Sequence, residues 1–434
     1  MKRTEIVYDH LPDITLKKAM LLWGKDHEEV VFLDSNAYTQ RHGEFEAVLA
    51  VDALTAIRTD HSNAFENLSE YRRSTSDWIF GYLTYDLKND VENLVSENYD
   101  GLGFPDLYFF QPKKIIFCRD QKLVFSYLPM VDDEIEEDYE KIMRLLEAEV
   151  PQDPHRVAIK MRIHKDEYKE KVGEMLRHIH RGDIYEANFC QEFYAEDTVI
   201  YPLQCYFDLN AISAPPFATY LKLEELYLVS ASPERYLKKK GQKVISQPIK
   251  GTARRAEDPE EDQQLAANLK ADEKERSENV MIVDLVRNDL SRMALKGSVE
   301  VEELCEVYTF KQVHQLISTV TAVVSEDTDP VEIIRNTFPM GSMTGAPKIS
   351  AMKIIEELEE TRRGLYSGAV GYFSPEGDFD LNVIIRSILY NKEKRYVSFS
   401  VGSAITAASS PDKEYEECLV KAKAMREVLE GSSE

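Results

Sequence analysis

Hydrophobic and polar positions alternate with a period of two through many short runs of this chain, the pattern of half-buried strands. Within the first 130 residues such runs are EEVVFLDS, WIFGYLTYDL and KKIIFCRDQKLVFSYL, separated by polar stretches of helical character such as SNAFENLSEYRRS. The acidic segment VDDEIEEDYEKIMRLLEAEV then takes a helical period, and PQDPH at 151–155 ends it. That break sets the expected boundary between an N-terminal part, 1–150, and a second part, 151–434. Beyond it, KDEYKEKVGEMLRHIHRGD predicts a helix stopping at Gly182, and IYEANFCQEFYA predicts the strand that follows. ELYLVSAS, QKVISQPI, SGAVGYFS, LNVIIRSILY and RYVSFSVGSAI are further strands, with helices between them. Sequential strands without regular strand–helix–strand alternation predict an α+β fold with sizeable antiparallel sheets.

Composition narrows the class. A chain of 434 residues, 43% hydrophobic and 10% aromatic, can bury a large core, as two domains or as one two-layer domain. No run approaches the roughly 18 consecutive apolar residues of a membrane span. The start, MKRTEIVYDHLPDI, lacks the apolar centre of an export signal. Cys118, Cys190, Cys205, Cys305 and Cys418 are scattered without a C-x-x-C pair, which predicts a reduced, cytoplasmic setting with neither a disulfide framework nor a zinc site. The formal charge of −25 argues against nucleic-acid binding. A small anionic substrate stays open, since local arginines, amides or a divalent metal can hold one whatever the global charge.

Three segments carry candidate chemistry. In DEKERSENVMIVDLVRNDL, Glu278 shares a helical face with Met281, Ile282 and Leu285, the stripe that turns inward, and Glu275 lies one turn earlier. In SSPDKEYEECLVKAKAM, Ser410 is the expected N-cap and Tyr415, Cys418, Ala422 and Met425 form the buried seam. Glu414 and Glu417 flank that seam, and Lys421 follows Glu417 by four. Each glutamate group also fits a solvated surface with helical ion pairs, while one glutamate from each helix would suit Mg²⁺. FPMGSMTGAPKISAMKIIEELE is a glycine-bearing loop entering a helix, but Ala346 and Pro347 before Lys348 break the phosphate-loop pattern. Lastly, VISQPIKGTARR sets Lys250 between a strand-like run and a Gly-Thr turn, as an ordinary surface lysine or as a nucleophile.

Taken together, GDIYEANFCQEF, SASPERYL, QPIKGTARR, DEKERSENVMIVDLVRNDL, GSMTGAPKISAM, RRGLYSGAVGYF, VIIRSILY and EYEECLVKAKA resemble, in order and spacing, the chorismate-utilising enzymes. That family holds component I of anthranilate synthase and of aminodeoxychorismate synthase, and the isochorismate and salicylate synthases. The resemblance covers about residues 155–430, and WIFGYLTYDL is similar to part of the family's N-terminal region. It implies mainly antiparallel sheets packed face to face and flanked by helices. It also implies Mg²⁺ held by Glu278 and Glu417, with Glu275 and Glu414 nearby, against the ring carboxylate of chorismate. Glu234 matches the general acid for the departing C4 hydroxyl. Tyr366 and Arg386 match the residues that hold the enolpyruvyl carboxylate, Gly402 falls in a loop approaching the substrate by its backbone, and Thr252 and Lys421 match further pocket positions.

Within the family, PIKGT resembles the motif of the aminodeoxychorismate synthases, whose lysine attacks the ring, whereas anthranilate synthases typically carry alanine there. The resemblance thus implies Lys250 as a covalent nucleophile, 4-amino-4-deoxychorismate as product and a place in folate biosynthesis, with anthranilate synthase as the alternative. None of the five cysteines sits in a Gly-flanked nucleophile elbow, so ammonia is expected from a separate glutamine amidotransferase subunit. Three positions depart from the family pattern: Glu186 where amino-transferring members have Gln, Gln315 where His is usual, with His314 beside it, and Ala404 where a glycine is usual.

Overall fold

A computed structural model of the chain describes residues 2–9, 13–36, 38, 43–150 and 156–431, so the expected boundary segment 151–155 lies outside the described residues. Two long strands, Ala47–Thr59 and Leu107–Arg119, pair antiparallel and form the spine of the sheet. From the first, pairing runs through Glu29–Asp34, Phe217–Leu223, Leu226–Ser232, Ser387–Asn391 and Tyr396–Thr406 to Glu186–Ala195. From the second, it runs through Ile79–Leu83, Ala369–Phe373, Phe379–Val383, Arg235–Lys240 and Lys243–Gln247 to Val313–Val323. All of these ladders are antiparallel, and strands preceding residue 150 enter both arms.

Side-chain alternation turns the two arms into layers. Val31, Val48, Ala50 and Leu221 from one arm meet Phe80, Tyr82, Val370 and Tyr372 from the other in one buried cluster. Their strand neighbours point outward: Val30, Phe32 and Leu49 pack under helices that include Lys165–Arg181 and Pro411–Glu430, and Ile79, Leu83 and Phe373 pack under Ala64–Thr75 and Glu273–Ser291. The architecture is α+β, one antiparallel sheet whose two arms lie face to face, with helices on both outer faces. No described helix is long and apolar enough to cross a membrane. All five cysteines are buried and unpaired.

The predicted elements form with two informative differences. LNVIIRSILY is not one strand but two, Phe379–Val383 and Ser387–Asn391, which join different arms. Arg386, between them, takes φ +54°, a left-handed conformation costly for a long side chain, and the apolar run is continuous because both pieces are buried. The other difference concerns Lys250, which lies within the strand Ile249–Arg254 and not at its end.

Candidate functional site

A cavity of about 430 Å³ is lined by both arms and by the helices Glu273–Ser291 and Pro411–Glu430. Lys250, Glu234, Thr252, Tyr366, Arg386, Gly402 and Lys421 all line it, as do Glu275, Glu278, Glu414 and Glu417. Residues separated by up to 187 positions, from Glu234 to Lys421, are therefore gathered at one place.

A β-bulge presents Lys250. Ile249 pairs with Ile317 and Thr252 with Gln315, so three steps on one strand face two on its neighbour. The extra residue bends the strand, and Gly251 meets the bend with φ +94°. A Cβ there would stand 3.0 Å from Leu316 Cδ1 and 3.1 Å from the Glu275 carboxylate, a tight fit that adds to the strain any other residue would meet at this φ. Lys250 Nζ lies 3.2 Å from Glu186 Oε1. Burial alone pushes this ammonium toward the neutral amine, but the carboxylates of Glu186, Glu278 and Glu234 outweigh it and the net shift is upward. The neighbour is thus anionic, whereas an activated lysine needs desolvation or a cationic neighbour.

Glu234 is fixed at both backbone groups: its N–H donates to Ser232 Oγ at 3.3 Å and its carbonyl accepts from the Val383 amide at 3.0 Å. Burial raises its carboxyl to about 7, against the lowering effect of a Ser342 hydrogen bond and of Lys250. An acid that keeps its proton near neutrality is suited to protonating a leaving hydroxyl.

Four carboxylates converge opposite. Burial raises Glu278 to about 7, offset by Lys250 and Lys274 and reinforced by Glu275 and Glu186. Glu417 goes the other way, because the Lys421 ammonium at 2.6 Å outweighs its burial. Among the described residues no three acidic, His or Cys side chains stand close enough to hold a metal as placed. Yet Glu278 Oε1 is buried without a hydrogen-bond partner, 3.6 Å from the Lys274 ammonium, and Mg²⁺ usually needs only one or two protein carboxylates. The donor set fits that ion.

The remaining wall is cationic or close-packed. Arg386 makes no ion pair among the described residues, which leaves its guanidinium for an incoming carboxylate. Tyr366 is buried beside it, its hydroxyl 3.8 Å from Cys190 Sγ. Lys421 donates to the Gly402 carbonyl at 2.9 Å. Gly402 faces Cys190 across the ladder, and a Cβ there would stand 2.5 Å from Cys190 Sγ and 2.6 Å from Asn188 Oδ1. Thr252 and Gln315 are ladder partners on the same wall, with Gln315 Oε1 buried and unpartnered, and Ala404 lines the cavity as well. His314, one residue along its strand, binds Asp262 and Thr309 at 2.9 Å instead. Lys348 is also turned away, to Asp289 at 2.5 Å and the Thr337 carbonyl at 3.1 Å.

Sequence reasoning passed over Ser342, Asn188, Arg363 and Glu359. Arg363 donates to the carbonyls of Met343 at 2.6 Å and Asn188 at 2.7 Å, and so ties two cavity-lining segments together. Its place in RRGLYSGAVGYF carries no periodic signal that marks it as buried.

Comparison with known proteins places this geometry. Residues 21–427 match the family model described as chorismate binding enzyme. The chain is 38% identical over 359 residues to anthranilate synthase component 1 of Thermus thermophilus, covering 81% of this chain and 77% of that protein. It is 33% identical over 365 residues to aminodeoxychorismate synthase component 1 of Bacillus subtilis, covering 82% and 77% respectively. Among solved structures, anthranilate synthase component I of Streptococcus pneumoniae superposes with a TM-score of 0.77 at 26% identity, covering 90% of this chain and 93% of that one. With its fold, its cavity and a family match over most of its length in agreement, the chain belongs to the chorismate binding enzymes.

Proposed function

We propose that this chain is the synthase component of an aminodeoxychorismate synthase, converting chorismate and ammonia to 4-amino-4-deoxychorismate for folate biosynthesis. The observation that carries the reading is Lys250 itself, an amine aimed by a bulge into the cavity that also holds the buried acid Glu234. Lys250 Nζ bonds to ring carbon C2, both ring double bonds shift, C1=C2 to C1=C6 and C5=C6 to C4=C5, and the C4–O bond breaks while Glu234 gives its proton to the leaving hydroxyl, which departs as water. Ammonia then bonds to C4, both double bonds return to C5=C6 and C1=C2, and the C2–Nζ bond breaks to free the lysine. Arg386 and Tyr366 orient the enolpyruvyl carboxylate. Glu278 and Glu417, with Glu275 and Glu414 beside them, are the residues that would hold Mg²⁺, which when bound supplies positive charge for the ring carboxylate. Ammonia comes from a separate glutamine amidotransferase.

A second reading, anthranilate synthase, has the 38% identity to the Thermus thermophilus protein in its favour. Incubation with chorismate, Mg²⁺ and an ammonium salt, followed by chromatographic identification of the product, separates them. 4-Amino-4-deoxychorismate supports the proposal, and anthranilate as sole product replaces it with the second reading.

A further inference from the structure

Glu186 is the carboxylate in ion-pair contact with Lys250 among the described residues, at 3.2 Å. Its place is rigid. It opens the strand Glu186–Ala195 and is held on both sides, by Ala346 and by Thr406. Only 1% of its surface is exposed, and Oε2 is buried with no hydrogen-bond partner. Glu359, also buried, shows what a stabilised carboxylate looks like in this protein: it accepts from Arg363 through both oxygens and from the Cys190 amide. Among the described residues Glu186 has the lysine alone. Burial penalises both charges of the pair, and no donor compensates the buried Oε2. Moving one proton across the pair replaces two desolvated charges with a neutral acid and a neutral amine, an exchange that a ring closing the cavity to water favours.

Resting on the Lys250 reading above, we propose that Glu186 takes the proton from Lys250 as the amine attacks the ring, and returns it when the amine leaves. The proton count closes. The Lys250 ammonium gives one proton to the Glu186 carboxylate, and the freed lone pair forms the C2–N bond while Glu234 protonates the departing hydroxyl. When ammonia has bonded to C4, the C2–N electron pair returns to Nζ as a neutral amine, and Glu186 restores the ammonium. The amino group leaves with the product, and Glu234 regains its proton from solvent. Other carboxylates face Lys250, namely Glu234, Glu275 and Glu278, and Glu417 from the helix Pro411–Glu430. They have other partners: Ser342 for Glu234, Lys274 for Glu278 and Lys421 for Glu417. The family resemblance puts glutamine at position 186, so the paired base is a property of this chain.

The test follows adduct formation on the Lys250 peptide by quench and mass spectrometry, with chorismate and Mg²⁺ but no ammonia, in the parent and in Glu186→Gln. The proposal predicts a rate slower by roughly tenfold or more at about pH 7, with a gap that closes toward about pH 9 as solvent takes over the deprotonation. Chorismate affinity by equilibrium dialysis should stay within about threefold. A counter-ion that only parks the ammonium predicts the opposite sign, because removing it frees the amine. A rate equal to or faster than the parent's, or a deficit unchanged at the higher pH, overturns the proposal. Should Glu186→Gln not fold, Glu186→Asp is read against the same criteria, with a smaller deficit expected because the carboxylate is kept. A parent that forms no adduct removes the Lys250 reading and this proposal together, whereas a parent adduct matched by the variant removes only this one.

Discussion

Arg363 and Glu359 form a buried two-pronged ion pair, with Nη2 2.6 Å from Oε1 and Nε 2.9 Å from Oε2. The same guanidinium reaches the carbonyls of Met343 and Asn188, so one side chain fixes two segments of the cavity wall. Removing one partner of such a pair strands the other charge in the interior. Arg363→Met should therefore cost about 3–5 kcal/mol in urea unfolding, and the double change Arg363→Met with Glu359→Leu should cost less than the single one. A single variant within about 1 kcal/mol of the parent would contradict this role.

The buried carboxyl of Glu234 sets a pH dependence. Its value near 7 means that the acid is protonated below that pH and loses its proton as pH rises. At constant free ammonia, kcat/KM should fall as pH passes upward through about 7, and Glu234→Gln should lose roughly 10²–10⁴ in rate. A profile flat across that range, or a Glu234→Gln enzyme of parent activity, would remove Glu234 as the acid.

The acidic face of the cavity predicts a metal requirement. Glu278→Gln should abolish activity and Mg²⁺ binding by calorimetry while leaving the circular dichroism spectrum unchanged. Full activity of Glu278→Gln, or a parent insensitive to EDTA, would take the ion out of the account.

Much of this site was legible along the chain. Of the stripe predicted with Glu278, Ile282 is buried but Met281 and Leu285 are half-buried, the inward face being shifted to Asn279, Ile282, Val283 and Val286, whereas the seam of Tyr415, Cys418, Ala422 and Met425 is buried as its spacing predicts. Periodicity identifies the inward face of one helix but not what it meets. That Glu278 and Glu417 share a cavity depends on sheet pairings between residues hundreds of positions apart, and no local pattern encodes them. Family motifs supplied the grouping. They did not supply the Glu186–Lys250 pair, which follows from the register of Glu186 against Ala346 and from the bulge at Gly251. The break at Arg386 was hidden for the opposite reason: both strand pieces are apolar, so nothing in the run marks the turn.

The proposed separate source of ammonia leads to a partner test. With ammonium salt the isolated chain should turn over chorismate, and with glutamine it should not until a glutaminase subunit is added. Glutamine-dependent turnover by the pure chain would contradict the assignment as a synthase component alone.

On the proposed reading Lys250 directs the amino group to C4, and the product made by Lys250→Ala decides whether it does. This variant, supplied with chorismate, Mg²⁺ and ammonium, should lose 4-amino-4-deoxychorismate formation, with any residual amination shifted toward anthranilate. A Lys250→Ala enzyme making 4-amino-4-deoxychorismate at the parent rate would contradict it.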